Sequence, residues 1–346
     1  MTRSDVRTWV TISRSEEPGE AAPRRRSSPV TFSNAVQYPN GSETSGASAA
    51  PANITPSEPR KVSMSATKRL VVISDLHSGC RLGLCPSGGV PLDDGGMYLP
   101  SDLQLKLWSM WREFWDDFVP TVTGGKPWAL VVNGDAIDGV HHGSTTQVSH
   151  NLLDQVRIAR DCLEPVVARS AGYYHVRGTE AHAGKSGRLE EQLAESLGAV
   201  TSQQGQSARH ELWKKVGTHL VHVAHHVESG VGSEAAGPYR ELQSMFSESA
   251  RWGRRPPDVI VRSHRHRFIV TEIPTGRGAG ASRGREPSST AACVVTPGWQ
   301  GRTPFTYKTT TGRVATPQFG GVVITSVGGR LVIHRRVWTV DRSPTE

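Results

Sequence analysis

Leu70-Val71-Val72-Ile73-Ser74-Asp75-Leu76-His77-Ser78-Gly79 is an apolar run that stops abruptly at an Asp-x-His pair. An unbroken Val/Ile run bounded by Ser and Gly predicts a buried strand of an α/β sheet, and the carboxyl end of such a strand is where these sheets place ligands. Residues two apart on a strand share a side, so the Asp75 carboxylate and the His77 imidazole can converge on one cation. A solvated loop offers the same two residue types, and a short motif matches by accident. One pair decides nothing; whether other strands end the same way does.

Downstream, Trp128-Ala129-Leu130-Val131-Val132-Asn133 is a second buried run, ending in Gly134-Asp135-Ala136-Ile137-Asp138-Gly139. Tyr173 to Val176 is a third, ending in Arg177-Gly178-Thr179-Glu180-Ala181-His182. Between the first two lies a helix opening at Ser101-Asp102, either of which can cap free N–H groups, with an apolar face of Leu103, Leu107, Trp108, Trp111, Phe114, Trp115 and Phe118. Pro120 and Gly124-Gly125 end it. A helix from about Asn151 to Ser170 turns Leu152, Leu153, Val156, Ala159, Leu163 and Val167 toward the sheet, and another carries Leu189, Leu193 and Leu197, giving a β-α-β-α order. His219 to Ala224 is a strand leading into His225-His226, and a helix of roughly Tyr239 to Trp252 follows. Asp258 to Arg262 is a further strand, ending in Ser263-His264-Arg265-His266. The rest reads as a Gly/Arg/Ser-rich loop with Arg277, Arg283 and Arg285, then strands at Val294 to Thr296, Gly321 to Ser326 and Leu331 to Val340, the last two joined by a Gly328-Gly329 hairpin turn.

The 346 residues contain no stretch approaching the roughly 20 apolar residues that span a bilayer, and no compact apolar segment follows the early Arg residues. The protein is therefore expected to be soluble and cytoplasmic, with no membrane partner. Four cysteines do not make a disulfide framework, which fits a reducing compartment. A formal net charge of +8 favours anionic partners. Residues 1–66 are rich in Ser, Pro, Ala and Arg, include Arg24-Arg25-Arg26, and show no periodicity. Such a segment buries too little apolar surface to offset its ordering entropy, so a disordered tail is expected there and one domain over 67–346.

Five strand ends thus carry Asp75/His77, Asp135/Asp138, Glu180/His182, His225/His226 and His264/His266. Five pairs in one structural slot are hard to attribute to solvated loops. In this order they resemble the calcineurin-like metallophosphoesterase family, whose pattern is D-x-H, G-D-x-x-D, G-N-H-D/E, a strand-terminal His, and G-H-x-H. The resemblance covers about Arg69 to Phe268. Asp75-Leu76-His77 and Gly134 to Asp138 match in full, and Ser263-His264-Arg265-His266 differs by Ser for Gly. The third motif departs further: Thr179 stands where the family has Asn, and His182 lies two residues late, in a G-T-x-x-H form similar to phage-type members.

The resemblance implies an α/β fold, a two-sheet β-sandwich flanked by helices, holding two divalent cations. It makes Asp135 the bridging ligand, gives Asp75, His77 and His266 to one ion, and gives His225, His264 and the Thr179 region to the other, with Glu180 as a substitute oxygen donor and His226 as the alternative to His225. His182 becomes the group that protonates the leaving oxygen or steadies the phosphoryl charge. Asp138 orients a His or a backbone group rather than ligating. Mixed imidazole and carboxylate donors suit Mn²⁺, Fe²⁺ or Zn²⁺. The implied activity is a dinuclear phosphoesterase hydrolysing phosphate esters with metal-activated water. The basic balance and the Arg-bearing loop place a phosphodiester or nucleic acid ahead of a phosphomonoester. The alternative from another class is a catalytically silent scaffold that binds nucleic acid or protein, against which the near-complete ligand set argues. Fold alone does not decide between them.

Overall fold

The apolar run at 70–73 is the centre of a sheet, and its neighbours follow from where the other apolar runs fall. Residues 10–13, 67–141, 143–228, 233–275, 290–304 and 316–340 are described in this computed structural model. They belong to the larger of two compact units, Met1–Ser15 with Ser57–Glu346; the other, Glu16–Pro56, lies outside the described residues. In chain order the elements are strands β1 (Val10–Ser13), β2 (Arg69–Ile73), β3 (Val90–Pro91) and β4 (Met97–Tyr98), helices α1 (Asp102–Glu113) and α2 (Val119–Thr123), β5 (Ala129–Asn133), α3 (Leu152–Arg169) and β6 (Gly172–Val176). Then come α4 (Glu180–Ala183), α5 (Arg188–Ser196), β7 (Ala208–Arg209), β8 (Glu211–Val216), β9 (His219–Ala224), α6 (Ala236–Arg251), β10 (Val259–Arg262), β11 (Ile269–Pro274), β12 (Thr290–Val295), β13 (Gln318–Val327) and β14 (Arg330–Thr339).

Two sheets result. The larger runs β1-β14-β13-β2-β5-β6-β7, with β2, β5, β6 and β7 parallel and β13 and β14 antiparallel. The smaller runs β11-β12-β10-β9-β8, with a parallel centre of β12, β10 and β9 between antiparallel edges. Strands buried on both faces need continuous apolar sequence. Alternate residues of β2 accordingly serve two cores. Leu70 and Val72 join Val131, Val221, Val223, Val259, Val261 and Val294 between the sheets. Val71 and Ile73 join Trp111, Phe114, Trp115, Leu163 and Leu193 beneath the helices. A third cluster, Leu242, Ile260 and Cys293, packs α6 on the outer face of the smaller sheet. The layers are therefore helices, sheet, sheet, helix, which is the expected α/β sandwich.

Helix α1 starts as expected: Ser101 accepts from the Gln104 N–H while the Gln104 side chain accepts from the Ser101 N–H, a capping box. It does not stop at Pro120. A π-helical turn, Phe114–Phe118, passes into α2, where Pro120 occupies the first turn and its missing N–H costs nothing, and Gly124 closes the run in a left-handed conformation, φ 60°. Trp111, Trp115 and Trp299 meet edge to face at 5.0–5.4 Å between ring centroids in this layer.

In α3 the expected apolar face holds at Val156, Ala159, Leu163 and Val167 but not in the first turn. Leu153 is 63 % exposed, and the buried stripe is Gln155, Ile158, Ala159, Cys162, Leu163, Val166 and Val167. At 3.6 residues per turn, position 153 lies roughly 120° from position 159, off the face. The turn nearest the ligand loops instead buries Asp154 and Gln155. Leu163→Ala should therefore cost about 2–5 kcal/mol in urea unfolding, and Leu153→Ala no more than about 0.5 kcal/mol. Equal losses would contradict this placement. The strands β7 and β11 and the β3–β4 hairpin were not legible from the sequence, being short or half-exposed.

Strand β1 pairs antiparallel with β14. The rest of the expected tail over 1–66, the loop carrying Arg277, Arg283 and Arg285, and His142 lie outside the described residues. Among the described residues no helix is long and apolar enough to cross a membrane.

Candidate metal centre

Strands β2, β5 and β6 of one sheet and β9 and β10 of the other deliver their carboxyl ends to one place. Asp75, His77, Asp135, His264 and His266 all have positive φ, between 45° and 71°, and they are the non-glycine residues of this kind among those described. Left-handed backbone is rare outside glycine, costs on the order of 1 kcal/mol or more per residue, and collects at functional sites; Asp and His tolerate it better than most. Asp75 and His77 thus do not converge by strand alternation, since β2 ends at Ile73. They converge because two left-handed residues turn a loop that is hydrogen-bonded to the next one: Asp75, His77 and Ser78 donate their N–H groups to Gly134, Asp135 and Ala136 at 2.9–3.1 Å. The loops are too close for a side chain at two points. A Cβ on Gly134 would stand 2.4 Å from His225 Nδ1, and one on Gly178 would stand 2.1 Å from Asp135 Oδ1.

Asp75, His77 and His266 form the first group that could hold a metal ion. His77 Nδ1 donates to Asp138 Oδ1 at 3.1 Å, which fixes the tautomer and leaves Nε2 facing His266 Nε2 at 3.1 Å. Asp75 Oδ2 accepts the His264 N–H at 3.3 Å, and Oδ1 lies 3.3 Å from His266 Nε2. Asp135, His225 and His264 form the second set. His225 Nδ1 donates to the Asn133 carbonyl at 2.6 Å, so Nε2 faces Asp135 Oδ2 at 3.0 Å and Asp75 Oδ1 at 3.8 Å. His264 Nδ1 is 3.9 Å from Asp135 Oδ2, and this residue is exposed. His226 is also exposed and packs its ring on His225 and His264, in neither set.

Thr179 is buried and serves Asp135: its N–H at 2.7 Å and its hydroxyl at 3.2 Å both donate to Asp135 Oδ1, leaving Oδ2 to the imidazoles. Glu180 is exposed on the short helix α4 and lies in none of the ligand sets. His182 Nδ1 donates to the Asp138 carbonyl at 2.5 Å, and Nε2 lies 3.9 Å from Asp135 Oδ2. Geometrically His77, Asp138 and His182 make a third set. Both Asp138 carboxylate oxygens are already engaged, however, Oδ1 by His77 and the Gln300 amide, both at 3.1 Å, and Oδ2 by the Gln147 amide at 2.7 Å. Asp138 orients His77 rather than offering a free oxygen.

The site is strongly charged. Burial pushes the Asp75 carboxyl up, but His266 and His225 outweigh it and hold Asp75 below the usual carboxylate range. Burial likewise opposes ionisation of Asp135, and His225 overrides it. Burial alone would lower His225, but Asp135 and Asp75 raise it to about 10. For His182 burial and the nearby His77 outweigh the pull of Asp135 and draw it down to about 4. Two buried carboxylates so close together require positive charge between them.

Divalent cations fit. Asp75 Oδ1, Asp135 Oδ2 and His225 Nε2 are buried atoms that converge without a hydrogen bond of good geometry, and such atoms in a native protein call for a partner. Two nitrogens bound to one cation at about 2.1 Å each stand about 3 Å apart, the spacing of the His77 and His266 Nε2 atoms.

The residues that support this arrangement carried no sequence signal. The loop after β12 donates the Trp299 N–H to the Asp75 carbonyl at 2.8 Å and brings Gln300 to Asp138. Gln155 accepts the Gly139 N–H at 2.7 Å. Under the centre, Asn133 Nδ2 donates to the Ala224 carbonyl and to Ser263 Oγ, and Ser263 and Ser74 both meet Thr296 Oγ1 at 2.7–2.8 Å. Ser263 is therefore a link between the sheets. Glu190, wholly buried, accepts from Ala136 and Gly178.

No family model matches the chain, and no curated protein matches it. Among solved structures it is similar to vacuolar protein sorting 29 of Cryptosporidium parvum, at 12 % identity over 80 % of this chain and 100 % of that one, with a TM-score of 0.30. It is similar to Vps29 of Chaetomium thermophilum, at 12 % identity over 80 % and 100 %, TM-score 0.33. A metallophosphoesterase from Sphaerobacter thermophilus aligns at 12 % identity over 78 % of this chain and 88 % of that one, TM-score 0.34. Likenesses this loose decide neither activity nor substrate.

Proposed function

We propose that this chain is a dinuclear metal-dependent phosphoesterase, with Asp75, His77 and His266 on one cation, His225 and His264 on the other, and Asp135 between them. One observation carries the reading: every non-glycine residue of left-handed backbone among those described is one of these ligands, so the fold concentrates its strain where the chemistry would be. Two divalent cations, when bound, supply Lewis acidity to the phosphate oxygens and lower the pKa of an attacking water. The chain's own residues do the rest. Asp138 and the Asn133 carbonyl hold the His77 and His225 rings with Nε2 inward, and Thr179 turns the Asp135 carboxylate so that Oδ2 faces the centre. His182 stands beside Asp135 with Nδ1 anchored and Nε2 free to meet the ester. Alone it is neutral at pH 7, because burial and His77 hold it near 4. The anionic phosphate of a bound ester opposes that depression, returning a proton to Nε2 for delivery to the departing oxygen.

Within this class the net charge of +8 favours a phosphodiester, including nucleic acid, over a monoester. The test is to assay metal-depleted protein against a simple phosphomonoester and a simple phosphodiester with Mn²⁺, Fe²⁺ and Zn²⁺ added back. Hydrolysis restored by a divalent ion is the expected result. Stoichiometric metal uptake with no hydrolysis of either ester would replace the enzyme with a binding scaffold.

A further inference from the structure

Glu190 sits in the first turn of α5, outside every motif, and its side chain is 0 % exposed. Its Oε1 accepts the Ala136 N–H at 2.9 Å and its Oε2 accepts the Gly178 N–H at 2.6 Å. Ala136 follows Asp135, and Gly178 precedes Thr179, whose N–H and hydroxyl both reach Asp135 Oδ1. These bonds close a ring in which one carboxylate spans the loops after β5 and β6. The buried His175 ring lies beside it, with Nε2 3.7 Å from Oε1, and Tyr173 hydrogen-bonds the other nitrogen of that ring.

Burying a carboxylate costs several kcal/mol of desolvation, and tying two surface loops together does not require one. What a carboxylate provides is two acceptors a fixed distance apart. A glutamine in its place would turn an NH₂ group against one of the two N–H donors. We propose that Glu190 is a positioning residue of the metal centre, setting the spacing of the two loops so that Asp135 Oδ2 faces His225 and His264. The inference rests on the metal reading of those residues.

The next residue supplies the control. Glu191 makes the same kind of double clamp, accepting from Ser207 and Ala208 at 2.5 and 2.9 Å and pairing with Arg177 at 3.2 Å, but it faces β7 and no ligand. The full-length chain as wild type, Glu190→Gln and Glu191→Gln should be compared by Mn²⁺ titration calorimetry, thermal melting, and hydrogen exchange of amides 134–139 and 177–182 without metal. Both variants are expected to melt earlier. Glu190→Gln should also weaken Mn²⁺ binding about 10–100-fold, the usual cost of losing a group that orients ligands, and speed exchange in both loops. Glu191→Gln should keep Mn²⁺ affinity within about twofold and leave amides 134–139 and 178–182 protected. Should Glu190→Gln fail to fold, Glu190→Asp keeps the charge but is one methylene too short to span both loops, and it should show the same split. Equal losses of affinity in the 190 and 191 variants, or unchanged affinity at position 190, would overturn the proposal. A wild-type chain that takes up no divalent ion would sink the phosphoesterase reading itself. Exchange unchanged in the Glu190 variant would then also remove Glu190 from the loops.

Discussion

Asp135→Asn is expected to lower turnover by about a thousandfold or more and to strip metal from the protein, while the chain still folds. Asparagine has nearly the shape of aspartate, so the prediction turns on which way its amide points. The Thr179 N–H and hydroxyl are both donors and both face Oδ1, at 2.7 and 3.2 Å. They will keep the amide oxygen at that position, which puts the NH₂ group where Oδ2 now stands, 3.0 Å from His225 Nε2. The atom facing the cations becomes a donor with no lone pair to give, and the negative charge that balanced them is gone. The loss of metal removes several kcal/mol of charge stabilisation from the reaction. Metal content by plasma spectrometry, read beside kcat and a melting curve, checks this. A variant holding its full metal with near-normal turnover would end the assignment of Asp135 as the shared ligand.

His182→Ala is expected to reduce kcat by roughly a hundredfold to ten-thousandfold, the range for a lost general acid, with metal content unchanged. The structure sharpens the test. The Nδ1–H of this ring is committed to the Asp138 carbonyl, so any proton delivered must leave from Nε2. A ring held near 4 by burial and His77 keeps that proton only while an anionic ester is beside it. The defect should therefore shrink for esters with good leaving groups, whose oxygen departs without a proton. In the wild type, the rate with a poor leaving group should fall as pH rises through the pKa of His182 in the complex, and that limb should vanish in the variant. Equal losses for good and poor leaving groups, with metal retained, would assign His182 to holding the phosphate instead. Loss of one ion, recovered at high metal concentration, would make it a ligand.

The sheets and the clustering of imidazoles and carboxylates at their strand ends were legible because buried strands demand continuous apolar sequence and because such groups are rare in the slot after them. Leu70 to Ile73 and Ala129 to Asn133 could hardly be anything but central strands. The conformation that makes the pairs converge was not legible. Strand alternation and a left-handed turn both place Asp75 and His77 on one side, and only backbone angles distinguish them. The use of Thr179 was unreadable too: a hydroxyl that ligates and one that orients a neighbouring carboxylate leave the same letter in the sequence. Glu190, Gln147 and Gln300 act across 9 to 162 residues of chain, and no local pattern records such a partnership. Leu153 misled because one apolar residue in a first turn belongs to a face only when the next two turns agree.

The chain of hydroxyls and amide under the centre, Ser74, Thr296, Ser263 and Asn133, joins the two sheets at the seam from which the ligands rise. Neither sheet owns a complete site: Asp75, His77 and Asp135 come from one, His225, His264 and His266 from the other. If the sheets part, no half-site survives that could keep its ion. A cation bound as proposed would stabilise the closed sandwich, so metal uptake would raise the melting temperature of the folded chain as well as supply its chemistry.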